Sequence, residues 1–297
     1  MSYVYYANSV LISLKDAAGN RRDAQNNYIT SYPLRSMVPV KTFVQRTSLR
    51  EKIREQLCRQ PDDNRKREPR KVGVWGLGGA RKSQLALSYL QRYSADYEAT
   101  FWIQAGQKAS IDRDFMEIYQ LLPRNTLLQS HQTAPEDVRR AVLNWFTGKP
   151  GKWLIIFDGA DQLHKIDRDF VDLSQYIPSY PGVHVIITSR SSIARKFSTF
   201  EGVNVGELEE PQAIDLFLKC AEIPSTEKTE AEAQAIVNEL GCLALAITIS
   251  GTYVSQTPRL SSHLLAYLED YRQRRQALLA EQPDDLINRY GHSVMTV

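Results

Sequence analysis

The sequence contains few cysteines, few histidines and little net charge. Its 297 residues include three cysteines and five histidines, and 37 basic against 34 acidic side chains leave a net charge of +3. The cysteines are far apart and never in C-x-x-C spacing, which predicts free thiols in a reducing compartment. No two histidines stand at i, i+4 with an acidic partner, so the pattern of a zinc site is missing.

Long hydrophobic runs are also missing. No apolar run approaches the roughly 18 residues of a membrane helix, and the N-terminal segment lacks the pattern of a signal peptide. A net charge of +3 is too small to indicate nucleic acid or an anionic membrane as the principal partner. The basic run NRKREPRK is interpreted as a solvated loop before a strand, with a polyanion or nuclear-localisation patch as the alternative. We therefore predict a cytoplasmic protein that binds neither nucleic acid nor membranes.

Short apolar segments alternate with helical patterns through two thirds of the chain. The apolar segments are KVGVWG, ATFWIQA, KWLIIFD, VHVIITSR and VNVGEL. This alternation predicts an α/β fold with a parallel sheet covered by helices on both faces. After Gly206 only helical patterns follow. We expect a poorly ordered leader over residues 1–37, an α/β domain over 38–206, a small helical subdomain over 207–280 and a tail over 281–297.

The stretch from Trp75 to Leu87, WGLGGARKSQLAL, departs from the Walker A pattern G-x-x-x-x-G-K-[ST] at one position, where Arg81 replaces the second glycine. It follows a predicted strand and opens a predicted amphipathic helix. In that context, backbone N–H groups and the positive helix end bind phosphate. Lys82 would contact the β- and γ-phosphates, and Ser83 would ligate Mg²⁺. The candidate phosphate-binding residues are Gly76, Gly78, Gly79, Lys82, Ser83 and Gln84.

Two further strands end in residues that suit the same site. Asp158 follows the apolar run WLIIF, as the Walker B carboxylate that holds Mg²⁺ does. Arg190 follows the strand VIITS, where a guanidinium can sense the γ-phosphate. Taken alone, a carboxylate such as Asp158 commonly caps the next helix, and Arg190 is interpreted as a surface arginine. Because ligands bind at the carboxyl ends of parallel strands, the combination favours an adenine nucleotide with Mg²⁺.

With these elements in place, the chain resembles the NB-ARC core of STAND-class P-loop ATPases, particularly the fungal NOD-like receptors. The resemblance covers roughly residues 40 to 290. It depends on FVQR at Phe43 to Arg46, FWIQA at Phe101 to Ala105, ITSR at Ile187 to Arg190 and LGCLALAI at Leu240 to Ile247. The last of these is similar to the family's GLPL motif, and YGHSV near the C-terminus resembles the approach to a winged-helix domain.

The resemblance implies a signalling switch of innate immunity and programmed cell death. Bound ADP would keep the protein closed, and exchange for ATP would open it for self-association or for contact with receptor partners. Val44 and Arg46 would flank the adenine, Leu243 and Ala244 would cover it, and Arg190 would act as a sensor.

The chain departs from the family at several positions. Gln45 and Arg81 replace glycines, Ala244 replaces the proline of GLPL, and Gly159 follows Asp158 where the family usually has an acidic residue or asparagine. Without a carboxylate to position water, hydrolysis is expected to be weak or absent. If the loop needs a positive φ at residue 81, a side chain there costs about 1–3 kcal/mol. We expect steric disruption of the loop, with direct contact between the arginine and a phosphate as the alternative.

These departures leave other functions open. One is a nucleotide-free interaction scaffold or truncated receptor remnant that keeps the fold without the ligand. An active ATPase or small-molecule kinase is less supported, because no substrate lid or catalytic base is recognisable.

Overall fold

A computed structural model describes the chain over residues 11–14, 42, 44–60, 67–122, 134–147 and 151–280. Most of the expected leader and the expected tail over residues 281–297 lie outside these ranges. No helix in the described ranges has the length and apolarity needed to cross a membrane.

A six-stranded sheet forms the centre of the α/β part, in the order β1-β3-β4-β5-β2-β6. The five strands from β2 to β6 are parallel, and this confirms the predicted parallel sheet. Because they are parallel, β2, β4 and β5 end at the same edge of the sheet. The strands are β1 (Leu11–Leu14), β2 (Arg70–Trp75), β3 (Ala99–Gln104), β4 (Trp153–Asp158), β5 (Val183–Ser189) and β6 (Val203–Asn204).

The strand β1 lies within the segment that we predicted as a poorly ordered leader. Its four residues pair antiparallel with β3, and the register shifts between Leu11 and Ser13. A short segment can pair with the free backbone groups of the edge strand β3 without a hydrophobic periodicity longer than a few residues. Sequence patterns therefore gave no signal for it.

Nine helices accompany the sheet in the described ranges. On α2 the predicted apolar stripe is buried at Leu85, Ala86, Tyr89 and Leu90, and Tyr93 packs beside it. The helices are α1 (Thr47–Cys58), α2 (Lys82–Tyr93), α3 (Lys108–Leu121), α4 (Pro135–Thr147), α5 (Glu210–Ala221), α6 (Glu227–Glu239), α7 (Ala244–Ser255), α8 (Pro258–Ser262) and α9 (Leu264–Ala280).

Both faces of the sheet are buried. Along β4, Ile155 and Phe157 join one apolar cluster with α3 and α4, whereas Leu154 and Ile156 join another with α1 and α2. This arrangement explains why the strands are almost continuously apolar instead of alternating.

The helices α5 to α9 surround an apolar core of their own. The last strand ends at Asn204 and α5 begins at Glu210. On this ground we propose the division after residue 206 as the boundary of a helical subdomain. The two parts meet around the loop between β2 and α2, which forms the candidate site.

Candidate functional site

The loop from Gly76 to Arg81 connects β2 to α2 and lies against the chain that follows β6. The amide of Val205 donates a hydrogen bond to the carbonyl oxygen of Trp75 (2.6 Å). Gly76 has φ +155°, and a Cβ atom there would lie 2.2 Å from the carbonyl oxygen of Val205. Only glycine allows this approach, which fixes the start of the loop.

Lys82 folds back over this loop from the first turn of α2. Its ammonium group donates hydrogen bonds to the carbonyl oxygens of Gly76 (3.0 Å) and Leu77 (2.9 Å). Two of its three donors are thus engaged, and the third remains for a ligand. Burial lowers the pKa of Lys82, and the carboxylates of Asp161 and Asp158 oppose that effect. The charge is held in a fixed position at the loop.

Ser83 connects the loop to the end of β4. Its hydroxyl donates a hydrogen bond to the carboxylate of Asp158 (2.6 Å), and the hydroxyl of Thr188 donates to the same oxygen (2.5 Å). Thr188 in turn accepts a hydrogen bond from the amide of Gly159 (2.9 Å). Burial raises the pKa of Asp158, whereas the two hydroxyls and Lys82 lower it. The two residues predicted to hold Mg²⁺ therefore lie in direct contact with each other.

Arg190 lies at the same sheet edge, immediately after β5. Its backbone amide and its Nε atom donate to the two carboxylate oxygens of Asp161, at 2.6 Å and 2.7 Å. The arginine side chain is still 54% exposed. Asp161 thus orients the guanidinium without covering it.

The two residues predicted to flank the adenine, Arg46 and Val44, contact the chain around Gly206 and the helical subdomain. The guanidinium of Arg46 donates to the carbonyl oxygens of Gly206 (2.8 Å) and Glu207 (2.5 Å), and burial lowers its pKa. Val44 packs against the core of the helical subdomain. Both residues therefore connect the segment before α1 to the helical side of the molecule.

A cavity of about 450 Å³ lies between part of the loop and the helical subdomain. Its volume is in the range of small-molecule pockets, about 300–1,000 Å³. The described residues that were predicted to bind the nucleotide or Mg²⁺ but lie outside this lining are Val44, Arg46, Lys82, Ser83, Gln84 and Asp158. The predicted residues that line the cavity are Gly76, Gly78, Gly79, Arg190, Leu243 and Ala244.

Arg81 has the strained backbone that the missing glycine implies, with φ 62° and ψ 36°. The contacts of Lys82 and Ser83 nevertheless persist, so the expected disruption of the loop is not what the structure shows. The guanidinium of Arg81 donates to the carbonyl oxygen of Thr42 (3.0 Å) and to the hydroxyl of Thr248 on α7 (2.6 Å). It therefore points toward the helical subdomain.

Several residues of the site escaped prediction. Thr188 completes the Asp158 contact, and Asp161 orients Arg190. The sequence offered one signal for each of them. Thr188 is a hydroxyl residue at the end of β5, and Asp161 is a second carboxylate in the loop that follows β4. Leu245, which packs on Gly79, lies within the GLPL-like motif, and Thr248 had no signal other than its position directly after that motif.

Comparison with known proteins gives a family match over most of this region. The NB-ARC domain family matches residues 31–226. The chain is 26% identical over 244 residues to a nucleotide-binding leucine-rich repeat (NLR)-like protein of Hyaloscypha variabilis, covering 77% of this chain and 24% of that protein. It is 26% identical over 213 residues to a probable disease resistance protein of Arabidopsis thaliana, covering 69% of this chain and 22% of that protein. The chain thus spans less than a quarter of the length of these relatives.

Solved structures share the fold at low sequence identity. One is the Walker-type ATPase of Pyrococcus abyssi, with 14% identity, a TM-score of 0.48, and coverage of 78% of this chain and 76% of that chain. The sheet topology and the family match identify the fold as that of a P-loop NTPase followed by helices.

Proposed function

Since the chain belongs to the NB-ARC domain family, we propose that it binds ADP or ATP as a STAND-type signalling switch with weak or no hydrolysis. The observation that carries this proposal is the arrangement of Lys82, Ser83 and Asp158 around the loop. The ammonium group, the hydroxyl and the carboxylate have the order and the contacts that phosphate and Mg²⁺ binding require.

The residues fit the proposed ligand in distinct ways. Lys82 keeps one donor for a phosphate oxygen, and the backbone amides that open α2 add the positive end of the helix. Ser83 and Asp158 would supply two oxygen ligands to Mg²⁺. The metal would neutralise phosphate charge, and Arg190 would meet the terminal phosphate from the other side.

Weak hydrolysis follows from the residues after Asp158. Gly159 carries no side chain to position water. Asp161, the next carboxylate in the chain, is bound to Arg190 through both of its oxygens. A carboxylate whose two oxygens are both engaged by Arg190 is poorly placed to orient a water molecule or to accept its proton.

The biological setting of the proposal comes from relatives that are much longer than this chain. The disease resistance protein and the NLR-like protein support a role in innate immunity. Self-association and a cytoplasmic location are parts of the same proposal, as is an output in programmed cell death.

Calorimetric titration of the purified chain with ADP and Mg²⁺ tests nucleotide binding. We expect saturable binding, and we expect Lys82→Met to weaken it by about tenfold or more, since a charge-assisted contact to phosphate is lost. The matched control is Lys196→Met, at an exposed lysine after β5, which should leave the affinity unchanged. Equal affinity of the wild type and Lys82→Met would contradict the proposed site.

The second candidate is a nucleotide-free scaffold, and the contacts of Arg81 favour it. These contacts join the loop to the helical subdomain without a ligand. Comparison of ADP binding by the wild type and by Arg81→Gly separates the two functions. Binding that is gained only in the variant indicates a scaffold disabled by its arginine, and no binding in either protein indicates that the pocket itself is lost.

A further inference from the structure

One side chain joins three separate parts of the molecule. Arg81 belongs to the phosphate-loop segment, Thr42 precedes α1, and Thr248 lies on α7 of the helical subdomain. The guanidinium of Arg81 donates one hydrogen bond to the carbonyl oxygen of Thr42 (3.0 Å) and another to the hydroxyl of Thr248 (2.6 Å). These partners are 39 and 167 positions away in the sequence.

The two hydrogen bonds of Arg81 are partly buried. Thr248 is 7% exposed, and the Nε atom of Arg81 is buried. Cys220 of α5 lies near Arg81, Thr42 and Thr248. Burial raises the pKa of its thiol, and the charge of Arg81 and hydrogen bonds with Thr42 and Thr248 oppose that effect. In a partly buried site, hydrogen bonds from a charged group are stronger than at the protein surface.

The hydroxyl of Thr248 is oriented to accept. It donates its own proton to the carbonyl oxygen of Ala244 (2.7 Å), one helical turn earlier. Its lone pairs are thus directed away from the helix, toward the arginine. The same face of α7 carries Leu245, whose side chain packs on Gly79 of the loop. A polar and an apolar contact therefore hold α7 against the same loop.

The backbone of Arg81 shows what the contact has to offset. A non-glycine residue at positive φ disfavours the loop conformation by roughly tenfold. Each hydrogen bond made by a charged donor favours it by about tenfold or more. The two hydrogen bonds thus outweigh the strain only while α7 and Thr42 are in place. The loop conformation is therefore coupled to the position of the helical subdomain against the loop.

We propose that Arg81 is a latch that holds α7 and Thr42 against the loop without a nucleotide. In the family as the sequence resemblance describes it, bound ADP keeps the parts closed. In this chain a side chain supplies the connection, so closure does not depend on the ligand. The latch is independent of the proposed nucleotide binding and stands whether or not ADP binds.

Hydrogen exchange of the α7 amides tests the latch in the full chain after treatment with EDTA and apyrase. Arg81→Met keeps a side chain at positive φ but removes both donors. We expect the amides of α7 to exchange about tenfold faster or more in this variant. The amides of α3, on the far side of the sheet, should be unchanged and serve as the internal reference.

Variants at the partner residue separate the latch from general destabilisation. Thr248→Val removes the acceptor and should accelerate exchange of α7, whereas Thr248→Ser keeps the hydroxyl and should behave as the wild type. The double variant Arg81→Met with Thr248→Val should be no faster than the faster single variant, because both changes remove the same contact.

Three results would overturn the latch. They are unchanged exchange of α7 in Arg81→Met, multiplication of the two single effects in the double variant, and wild-type protection of α7 that appears only when ADP is added. If the wild type fails to bind ADP in calorimetry but shows Arg81-dependent protection of α7, the latch is supported and the nucleotide switch is rejected.

Discussion

Two glycines with nearly the same backbone conformation have very different surroundings, which allows a matched test of the contact between the loop and α7. Gly79 has φ +73° and Gly159 has φ +72°. A Cβ atom on Gly79 would lie 2.4 Å from Cβ and 2.7 Å from Cδ2 of Leu245, whereas a Cβ atom on Gly159 would meet nothing within 4 Å. Alanine at the two positions therefore shares the backbone strain and differs in the clash.

The magnitudes follow from these distances. Alanine in the left-handed region costs about 1–2 kcal/mol, of which up to roughly 1 kcal/mol is offset by the lower entropy of the unfolded chain. Gly159→Ala should thus lower the free energy of unfolding by about 1 kcal/mol. Overpacking adds typically about 1–3 kcal/mol, because Leu245 is buried and its nearest atom is attached to the backbone of α7. Gly79→Ala should therefore lower it by about 2–4 kcal/mol.

Urea unfolding followed by far-ultraviolet circular dichroism measures both variants in nucleotide-free buffer. In Gly79→Ala the helices α5 to α9 must move away from the loop, so its unfolding midpoint should lie below that of Gly159→Ala. Equal losses in Gly79→Ala and Gly159→Ala would refute the packing of Leu245 on the loop. A loss in Gly159→Ala as large as that expected for Gly79→Ala would refute the strain argument as well.

Two further predictions concern buried polar side chains. Burial lowers the pKa of His184 to about 3, against about 6.5 in the unfolded chain. The free energy of unfolding therefore decreases as the pH is lowered between these two values, by about 2 kcal/mol from pH 7 to pH 5. In urea unfolding, His184→Asn should reduce this pH dependence relative to the wild type, whereas the control His164→Asn, at an exposed histidine, should not. Equal slopes of the free energy of unfolding against pH in all three proteins would contradict the role of His184. Gln56 exchanges hydrogen bonds with the backbone of Gly202 at 3.0 Å and 2.7 Å, so Gln56→Leu should cost about 1–3 kcal/mol by leaving both backbone groups unpaired. Exposed Gln60→Leu is the control, and a loss in Gln56→Leu no larger than in that control would show that the amide pair contributes nothing.

Buried carboxyl groups do not confuse the histidine test. Burial raises the pKa of Asp158 and Asp114, so each contributes stability at low pH that is lost as pH rises. This direction is opposite to that of His184. Both carboxyl groups are present in the wild type and in the variants, and their effect cancels in the difference between the slopes.

The candidate site was predictable wherever the chemistry depends on local order. A strand, a glycine-rich loop and a helix follow one another from β2 to α2, so Lys82 and Ser83 had only one place to lie. The carboxyl ends of parallel strands meet at one edge, and for this reason the order of motifs along the chain was enough to pair Asp158 with Ser83. The strand β1 was not predictable, because its pairing depends on a free sheet edge and not on its own pattern.

The sequence by itself determined the parallel sheet, the phosphate-loop segment and the residues at the strand ends, because hydrophobic periodicity and short-range spacing encode them. Only the tertiary structure decided where the long cationic side chains point. Arg46 and Arg81 bond to Gly206, Glu207, Thr42 and Thr248, and all but Thr42 lie more than 150 positions away in the chain. A guanidinium has five donors and a flexible stem, so its partners depend on which backbone and hydroxyl oxygens the packed helices bring within reach. That packing turned Arg81 from a defect in a motif into a connection between the loop and the helical subdomain.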